Sequence, residues 1–318
     1  MSNNIKNILI VGAGNIAKEY CRILKDMHFL PDIVCRSEQK AQSFHEEEGV
    51  RVFSGGIEAF LHDNTTAYDY AIVAVDVESL CEVSCQIIQS GIKKVFVEKP
   101  GGMNRTEIEK TATLAETNDA SVYIAYNRRF YAATEKALQI IKEDGGVQSF
   151  HFEFTEWPHV IEPLPHSKRI KENWFFSNST HVVDLAFFLG GEPKEIKCYT
   201  AGSLNWHSNA AVYAGAGIAD KGALFTYSAN WAAPGRWAVE ILTQKHRLIF
   251  KPMEKLSIQN TGSVKVDSVE IEDELDIRFK PGFYKQTESF INDIDDGRKK
   301  TIQDQLRSWN YYEKIDRK

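Results

Sequence analysis

The 318-residue sequence predicts an α/β protein with two domains, a doubly wound parallel sheet followed by an α+β domain with a large, mostly antiparallel sheet. Three observations predict this. The length exceeds that of a single hydrophobic core. Short apolar runs alternate with helical periodicity in the first third, whereas later apolar-polar alternations follow one another without intervening helices. We expect the first domain to span residues 1–125 and the second to span residues 126–318.

The first domain repeats a buried strand and a helix. Residues 8–11, ILIV, form a continuous apolar run, as expected of a parallel strand covered on both faces. Apolar residues then recur at helical spacing until Pro31 ends the pattern. Right-handed crossovers between such units predict a doubly wound parallel sheet. Further strands are predicted at residues 32–37, 50–53, 70–75, 93–98 and 120–127.

The second domain begins with a predicted helix at residues 132–144. Phe150, Phe152 and Phe154 then alternate with polar residues, which is typical of a strand with one covered face. The chain closes with two predicted helices, residues 284–297 and 303–315. Strand-like segments of this domain are residues 145–157, 194–204, 223–233, 238–250 and 264–271.

Composition excludes several classes of partner. Hydrophobic residues make up 43% and charged residues 26% of the chain, and the net charge is -6 without a basic stripe, so we expect no nucleic-acid partner. No apolar run approaches the roughly 18 residues of a membrane span, and we expect a cytoplasmic protein. Five cysteines without a CxxC pair indicate reduced thiols. Cys81 and Cys85 are interpreted as small buried residues, and no metal site is expected.

The segment VGAGNIA directly follows the first strand and opens a helix. Gly12 permits a tight turn, Gly14 lets the backbone approach a pyrophosphate, and Ala17 allows the helix to pack closely on the strand. The helix N-terminus offers N–H groups to phosphates. We therefore predict a dinucleotide-binding Rossmann domain in which Asn15 and Ile16 also contact the cofactor; the alternative is a glycine turn needed only for packing.

The end of the second strand bears on the choice of cofactor. NAD sites place a carboxylate there to bind the ribose 2′-hydroxyl, but the sequence has Cys35, Arg36 and Ser37, with Asp32 further back. Arg36 and Ser37 can hold a 2′-phosphate through charge and hydrogen bonding. This favours NADP over NAD. In the alternative reading, Arg36 stacks on the adenine or faces solvent.

Two further stretches carry candidate chemistry. The fifth strand ends in Glu98, Lys99 and Pro100, at the carboxyl edge where a cofactor lies in such folds. In residues 178–191, NSTHVVDLAFFLGG, a predicted helix places His181 in its first turn. The helix dipole there favours a neutral imidazole, which suits a general base, although a structural histidine is the alternative.

Together these stretches resemble the glucose-fructose oxidoreductase / inositol dehydrogenase / rhizopine catabolism (Gfo/Idh/MocA) family. The resemblance rests on VGAGNIA, VEKPGG, AYNRRF and HVVDLAFFLG, and it covers most of the chain. It implies an NAD(P)-dependent oxidoreductase acting on sugars, cyclitols and related hydroxylated compounds. It also implies a Rossmann domain joined to an open-faced sheet domain.

The resemblance implies roles for individual residues. Lys99 matches the family lysine beside the nicotinamide and the reacting hydroxyl, and His181 matches the general acid/base. Asp184 matches the aspartate of the motif, which either supports the helix or touches substrate. Val75 and Glu98 are expected to contact the cofactor, as is Lys99.

The sequence departs from the family pattern ahead of the histidine. Many members have an aspartate where this chain has Ser177, so substrate binding is expected to use Ser177, Asn178 or Ser179 instead. This leaves the standard polyol substrate open. Lys99 and His181 are themselves expected to touch the substrate.

Other substrate contacts are expected from the segments after the sixth strand and before the histidine. Asn127, Arg128 and Trp174 are candidates, whereas Arg129 is interpreted as a structural ion-pair residue. Residues 168–169, a lysine and an arginine, either meet a phosphate or carboxylate or belong to a solvated loop.

The resulting hypothesis is hydride transfer between nicotinamide and a hydroxyl or keto carbon of a sugar or sugar derivative, including nucleotide-linked forms. Lys99 polarises the oxygen and His181 is the acid/base. The alternatives are a non-catalytic dinucleotide-sensing regulator on the same fold, and an imine or double-bond reductase. A homo-oligomer, a dimer or tetramer, is expected through the exposed sheet face.

Overall fold

The structure is a computed structural model that describes residues 6–64 and 66–316. The chain forms two compact units. The first contains the described residues up to Asn127 together with Arg278–Arg307. The second contains Arg128–Ile277 and the described residues from Ser308 onward.

The first unit is built on a parallel sheet with the strand order β15-β6-β5-β4-β1-β2-β3. All neighbouring strands pair in parallel except β15, which is antiparallel to β6. This confirms the predicted doubly wound sheet. Its strands are β1 (Ile8–Val11), β2 (Asp32–Val34), β3 (Val52–Phe53), β4 (Tyr70–Val73), β5 (Lys94–Glu98), β6 (Ser121–Ala125) and β15 (Lys300–Thr301).

Helices pack against this sheet through apolar stripes. The buried face of the first helix consists of Ala17, Tyr20, Cys21, Ile23 and Leu24, at the spacing of one helix face. The helices of the first unit are α1 (Asn15–Asp26), α2 (Glu38–Glu48), α3 (Ile57–Asp63), α4 (Leu80–Gln89), α5 (Arg105–Thr117), α11 (Phe283–Ile291) and the start of α12 (Ile302–Ile315).

Residues 278–307 return to the first unit, whereas the sequence analysis placed them in the second domain. The Phe290 ring stacks on Phe96 of β5 with centroids 4.9 Å apart, and the Phe283 ring lies 5.1 Å from that of Tyr20 in α1. The amphipathic pattern of α11 predicts a buried face but carries no information about which core that face covers.

The second unit contains a sheet with the strand order β14-β13-β12-β11-β7-β10-β9-β8. Its neighbouring strands are antiparallel except for the parallel pair β7 and β10. The predicted mostly antiparallel sheet is confirmed. The strands are β7 (Ser149–Glu153), β8 (Pro193–Ala201), β9 (Val212–Ala219), β10 (Leu224–Asn230), β11 (Ala238–Leu242), β12 (His246–Phe250), β13 (Ser257–Asn260) and β14 (Val266–Ser268).

Helix α9 (Thr180–Gly190) covers the middle of this second sheet. Phe187 makes edge contacts with Phe150 and Phe152, whose alternation along β7 buries one face of the strand. Gly190 lies so close to the Phe150 ring that an added Cβ would come within 2.3 Å of it. The helices of this unit are α6 (Ala132–Glu143), α7 (Pro158–Ile161), α8 (Lys168–Glu172), α9 (Thr180–Gly190), α10 (Glu274–Arg278) and the end of α12.

Two strand predictions differ from the structure in detail. Residues 238–250 form the hairpin β11–β12 rather than one strand segment. Strand β9 was not predicted, because its sequence VYAGAGIA is dominated by Ala and Gly, which carry little strand propensity.

Candidate active site

The turn between β1 and α1 separates the roles of its two glycines. Gly12 has a φ of +127°, and a Cβ there would lie 2.2 Å from the Ala74 carbonyl oxygen, so the fold itself requires glycine. Gly14 has a φ of -90°, which any residue can adopt, and a Cβ there would meet no atom within 4 Å. The open space in front of Gly14 therefore suits close approach of a ligand to the backbone.

The first turn of α1 fits a negatively charged ligand. It has no side-chain cap and no acidic residue, so its backbone N–H groups and the helix dipole are not compensated by the chain. Asn15 is exposed and Ile16 is half-buried, whereas Ala17 is fully buried against the sheet. These features match the predicted pyrophosphate position.

The segment after β4 lies beside this turn. The Ala74 N–H donates to the Val11 carbonyl at 2.8 Å, and a Cβ on Gly12 would come within 3.4 Å of the Val75 nitrogen. Val75 is half-exposed at this edge. The strand order reverses between β1 and β4, so the switch point of the sheet falls here, where open α/β sheets bind ligands.

The end of β2 holds the predicted cofactor-selecting residues. Arg36 is 83% exposed, and its guanidinium contacts the Asp76 carboxylate at 3.2 Å. The Ser37 hydroxyl accepts a hydrogen bond from the Lys40 N–H and caps α2. Asp32 stands at the start of β2, where Arg51 and Tyr68 bind its carboxylate. Asp32 is therefore a structural residue rather than a ribose ligand.

At the end of β5, Glu98 lies in a buried hydrogen-bond chain. The Tyr20 hydroxyl donates to its carboxylate at 2.7 Å, and the Gln286 amide donates to that hydroxyl at 3.0 Å. Burial raises the pKa of Glu98, and the Tyr20 hydrogen bond and the Lys99 and Lys280 cations oppose this effect. Lys99 is half-buried directly after the strand.

Residues far along the sequence fix the turn that carries Lys99. The Gln305 amide donates to the Pro100 carbonyl at 2.9 Å and to the Tyr126 hydroxyl at 3.1 Å. Gln286 and Gln305 were not predicted as supports of this turn. Their only sequence signal is a polar residue on the otherwise apolar face of a helix.

In the second unit, Arg129 and Asp184 form a buried ion pair. Two guanidinium nitrogens of Arg129 donate to the two carboxylate oxygens at 2.7 and 2.8 Å. The Asp184 carboxylate raises the pKa of Arg129 against the lowering effect of burial. Arg129 is thus a structural residue, as predicted, and Asp184 takes the supporting role.

The surroundings of His181 differ from the sequence prediction. A π-helical turn, Phe175–Ser179, runs directly into α9, so His181 does not follow a free helix N-terminus. The argument that the dipole at a helix start favours its neutral form was therefore wrong, since the preceding turn already occupies this position. His181 is 8% exposed, and its ring lies 6.4 Å from that of Trp237.

A buried carboxylate near α9 was missed in the sequence. Glu156 is 1% exposed, and it accepts hydrogen bonds from the Ser179 hydroxyl at 2.7 Å and the Asn178 amide at 3.0 Å. Burial raises its pKa, and these two donors together with Arg236 oppose the rise. Glu156 thus supplies a carboxylate next to the position where the family pattern has an aspartate and this chain has Ser177. Its only signal was an acidic residue near the end of the predicted strand segment 145–157.

Aromatic rings and guanidinium groups cluster beside Glu156. The guanidinium carbon of Arg236 lies 4.5 Å from the Trp157 ring and 4.6 Å from the Trp237 ring. The guanidinium carbon of Arg128 lies 4.7 Å from the Trp237 ring. The structure therefore brings predicted residue Arg128 together with two tryptophans and a second arginine from the β10–β11 connection.

The remaining predicted substrate residues have varied environments. The amide of Asn127 donates to the Pro281 carbonyl, so this side chain takes part in a hydrogen bond within the first unit. Trp174 and Ser177 are buried, and Trp174 packs against His166 and Trp206. Lys168 is exposed and lies 3.6 Å from Glu172 one helical turn away.

None of the helices in residues 6–64 and 66–316 combines the length and the hydropathy needed to span a bilayer. Over the same residues, no group of three or more His, Cys, Asp or Glu side chains could hold a metal ion.

The fold and the β1–α1 turn define a Rossmann-type dinucleotide-binding domain. Residues 6–126 match the Gfo/Idh/MocA family model, described as the oxidoreductase family with an NAD-binding Rossmann fold. The predicted resemblance to this family is thereby confirmed for residues 6–126, the NAD-binding Rossmann fold of the first unit. No curated protein matches the chain by sequence.

Several solved structures share the fold over nearly the whole chain. An oxidoreductase from Agrobacterium radiobacter, in complex with NAD+, L-tartaric acid and magnesium, has a TM-score of 0.78 at 13% identity, over 98% of this chain and 95% of its own. A levoglucosan dehydrogenase in complex with NADH and L-sorbose has a TM-score of 0.79 at 15% identity, over 98% and 95%. A UDP-N-acetylglucosamine 3-dehydrogenase from Acidithiobacillus ferrooxidans has a TM-score of 0.75 at 15% identity, over 98% and 96%.

Proposed function

We propose that this protein transfers a hydride between a nicotinamide cofactor and the hydroxyl- or keto-bearing carbon of a sugar or sugar derivative, with nucleotide-linked sugars among the candidates. One observation carries the proposal. β1, β4 and β5 are neighbours, so the open backbone at Gly14 and the side chain of Lys99 follow strands that end at the same edge of one parallel sheet. That edge combines a place for a dinucleotide with a cation for the reacting oxygen.

Lys99 is proposed to stabilise negative charge on the substrate oxygen. Removing a hydride from an alcohol also removes the hydroxyl proton, and a nearby ammonium group lowers the free energy of the developing alkoxide. The half-buried Glu98 beside it and the Gln305 bond to the Pro100 carbonyl hold the turn that presents Lys99. The bound cofactor supplies the hydride acceptor or donor.

His181 is proposed as the general acid/base. The family resemblance assigns this role, and the second unit provides a largely enclosed position for the imidazole near Trp237. Enclosure keeps bulk water from competing for the proton. The Arg129–Asp184 pair fixes α9, which carries His181, and so limits the movement of the imidazole.

The cofactor is proposed to be NADP in preference to NAD. Arg36 is the exposed cation at the end of β2, and Asp32 is unavailable to a ribose because Arg51 and Tyr68 bind it. Asp76 opposes this preference, because its carboxylate contacts Arg36 and would repel a 2′-phosphate. Binding of NADP therefore requires Arg36 to exchange Asp76 for the phosphate.

The choice of a sugar substrate is supported by the structures that share this fold. One is a levoglucosan dehydrogenase and another is a UDP-N-acetylglucosamine 3-dehydrogenase, each with 15% identity to this chain. Glu156, with its Asn178 and Ser179 partners, is proposed to bind a sugar hydroxyl in place of the family aspartate, because a buried carboxylate is a strong acceptor.

The test is a turnover screen of the full-length protein with NADPH and NADH against ketosugars, cyclitols and nucleotide sugars. Turnover is monitored by the change in absorbance of the reduced nicotinamide. We expect turnover with at least one hydroxylated substrate and its loss in His181→Asn. Dinucleotide binding without turnover of any of these compounds would contradict the proposal and point to the regulator. Reduction confined to imines or conjugated double bonds would point to the other reductase class.

A further inference from the structure

The guanidinium group of Arg128, a partly buried residue, has no carboxylate partner among the described residues. Among the described residues its Nε is enclosed and makes no hydrogen bond, and no carboxylate lies within 4 Å of the guanidinium. Burial lowers the pKa of Arg128, and Tyr131, Glu254 and Glu156 oppose this only from a distance. A partly buried cation without a paired anion carries an uncompensated desolvation cost.

Two neighbours of Arg128 add hydrogen-bond donors to the same place. Trp237 is 6% exposed, and its indole N–H has no acceptor among the described residues. Arg236 stacks on the same indole, and its side chain remains 43% exposed although one nitrogen lies 3.5 Å from Glu156. Glu156 itself already accepts from Asn178 and Ser179. Donors and positive charge therefore exceed acceptors in this cluster.

We propose that Arg128, together with Arg236 and the Trp237 N–H, binds an anionic group of the substrate, either a carboxylate or a phosphate. The substrate is then an acidic sugar derivative: a sugar acid or a phosphate-bearing sugar. Guanidinium groups match both anions through paired N–H donors, and stacking on the indole holds the planes in place. The inference rests on the proposed function, because the His181 ring lies 6.4 Å from that of Trp237 and would meet the same substrate.

The test compares D-glucuronate and D-glucose 6-phosphate with D-glucose, which differs from them by lacking the anionic group. Each is titrated into full-length protein in the presence of dinucleotide, and binding is followed by tryptophan fluorescence and calorimetry. We expect at least one anion to bind at least tenfold more tightly than glucose. The tighter of the two identifies the group as a carboxylate or a phosphate.

Variants of Arg128 separate binding from a role in the fold. Arg128→Met should weaken binding of the preferred anion at least tenfold more than it weakens binding of glucose, and Arg128→Lys should restore part of the loss. The melting temperature of Arg128→Met should be equal to or above that of the wild type, because a partly buried cation without a carboxylate partner is removed. Arg247→Met, at an exposed arginine on β12, serves as the control and should retain anion binding.

The inference is overturned if neither anion binds more tightly than glucose, or if Arg128→Met leaves anion affinity unchanged. Turnover of neutral sugars, with neither anion bound more tightly than glucose, would remove the anion site and leave hydride transfer in place. Anion binding that depends on Arg128, without dinucleotide turnover on any substrate, would support the anion site and remove hydride transfer.

Discussion

Two carboxylates that follow or end a strand, one in each unit, show how differently the two units of this protein build their candidate sites. Glu98 in the first unit is half-buried and Glu156 in the second is buried, and burial raises the pKa of each. Glu98 belongs to a short motif at a strand end, next to Lys99 in the sequence. Glu156 follows a strand too, but its hydrogen-bond partners are 22 and 23 residues away.

This difference indicates which residues of each unit can change without loss of its candidate site. In the first unit, backbone turns at strand ends create the site, and the requirement falls on a few fixed positions such as Gly12. In the second unit, side chains from separate segments converge, so a new substrate needs only a different set of side chains on the same sheet. We therefore assign cofactor chemistry to the first unit and substrate choice to the second.

The largest effect is expected from Lys99 in the first unit. Lys99→Met should lower kcat by about two to four orders of magnitude, the range for removing one acid/base or electrostatic group, while dinucleotide affinity stays within a few-fold. Steady-state kinetics and fluorescence titration measure the two quantities. Lys93→Met, an exposed lysine just before β5, is the matched control and should keep wild-type turnover. Wild-type kcat in Lys99→Met would remove this lysine from the mechanism.

In the second unit, the next largest effect is expected from the ion pair under α9. Arg129→Met leaves the Asp184 carboxylate buried without its partner, which costs about 3–5 kcal/mol of unfolding free energy. Denaturant unfolding measures this. The double variant Arg129→Met/Asp184→Leu should recover part of the loss, and Lys168→Met, from an exposed pair, should show no measurable change. Equal effects of Arg129→Met and Lys168→Met would show that the buried pair is unimportant.

A smaller effect is expected from Glu156, and this effect depends on pH. Because the pKa of Glu156 is raised in the folded protein above its ordinary value of 4.5, the protonated form is favoured on folding. The corresponding stabilisation is complete below pH 4.5 and is lost as the pH rises through the folded value. Glu156→Gln should remove this loss. The melting temperature of the variant minus that of the wild type should therefore increase from pH 4 to pH 7.

The control for this comparison is Glu162→Gln, an exposed glutamate shortly after Glu156. Its melting temperature should parallel the wild type across the same pH range. A constant difference between Glu156→Gln and wild type would show that the carboxylate ionises without cost in the folded protein.

The smallest effects concern the choice of cofactor in the first unit. Arg36→Asp should weaken NADPH by about tenfold or more and NADH by much less, since a charge-assisted hydrogen bond contributes about 1.5–3 kcal/mol. Asp76→Asn should tighten NADPH several-fold by releasing Arg36 from its carboxylate. NADH titrations provide the internal reference, and an unchanged NADPH/NADH ratio in both variants would exclude the proposed NADP preference.

Much of the first unit could be predicted because its information is local. The run ILIV, the glycine turn and the charged end of β5 each specify a backbone conformation within a few residues, and the parallel order brings their ends together. The packing of α11 in the first unit was not predicted. An amphipathic pattern shows that one face of the helix is buried, but it does not show which element covers that face. In the second unit, Glu156 lies 80 residues before Arg236 and its neighbour Trp237, and the pairing of β7 with β11 helps to bring the two segments together. The spacing of these residues along the sequence does not predict that contact.

The central claim is that the carboxyl edge of the first sheet binds a dinucleotide, and Gly14 tests it most directly. Calorimetric titration of the full-length protein with NADPH and NADH is compared between wild type and Gly14→Val. The residue's extended φ of -90° and the open space before it predict unchanged thermal stability in the variant. Saturable binding of one dinucleotide per chain in the wild type, reduced at least tenfold in stably folded Gly14→Val, is the expected result. No saturable binding in the wild type, or equal binding in both proteins, would contradict the account.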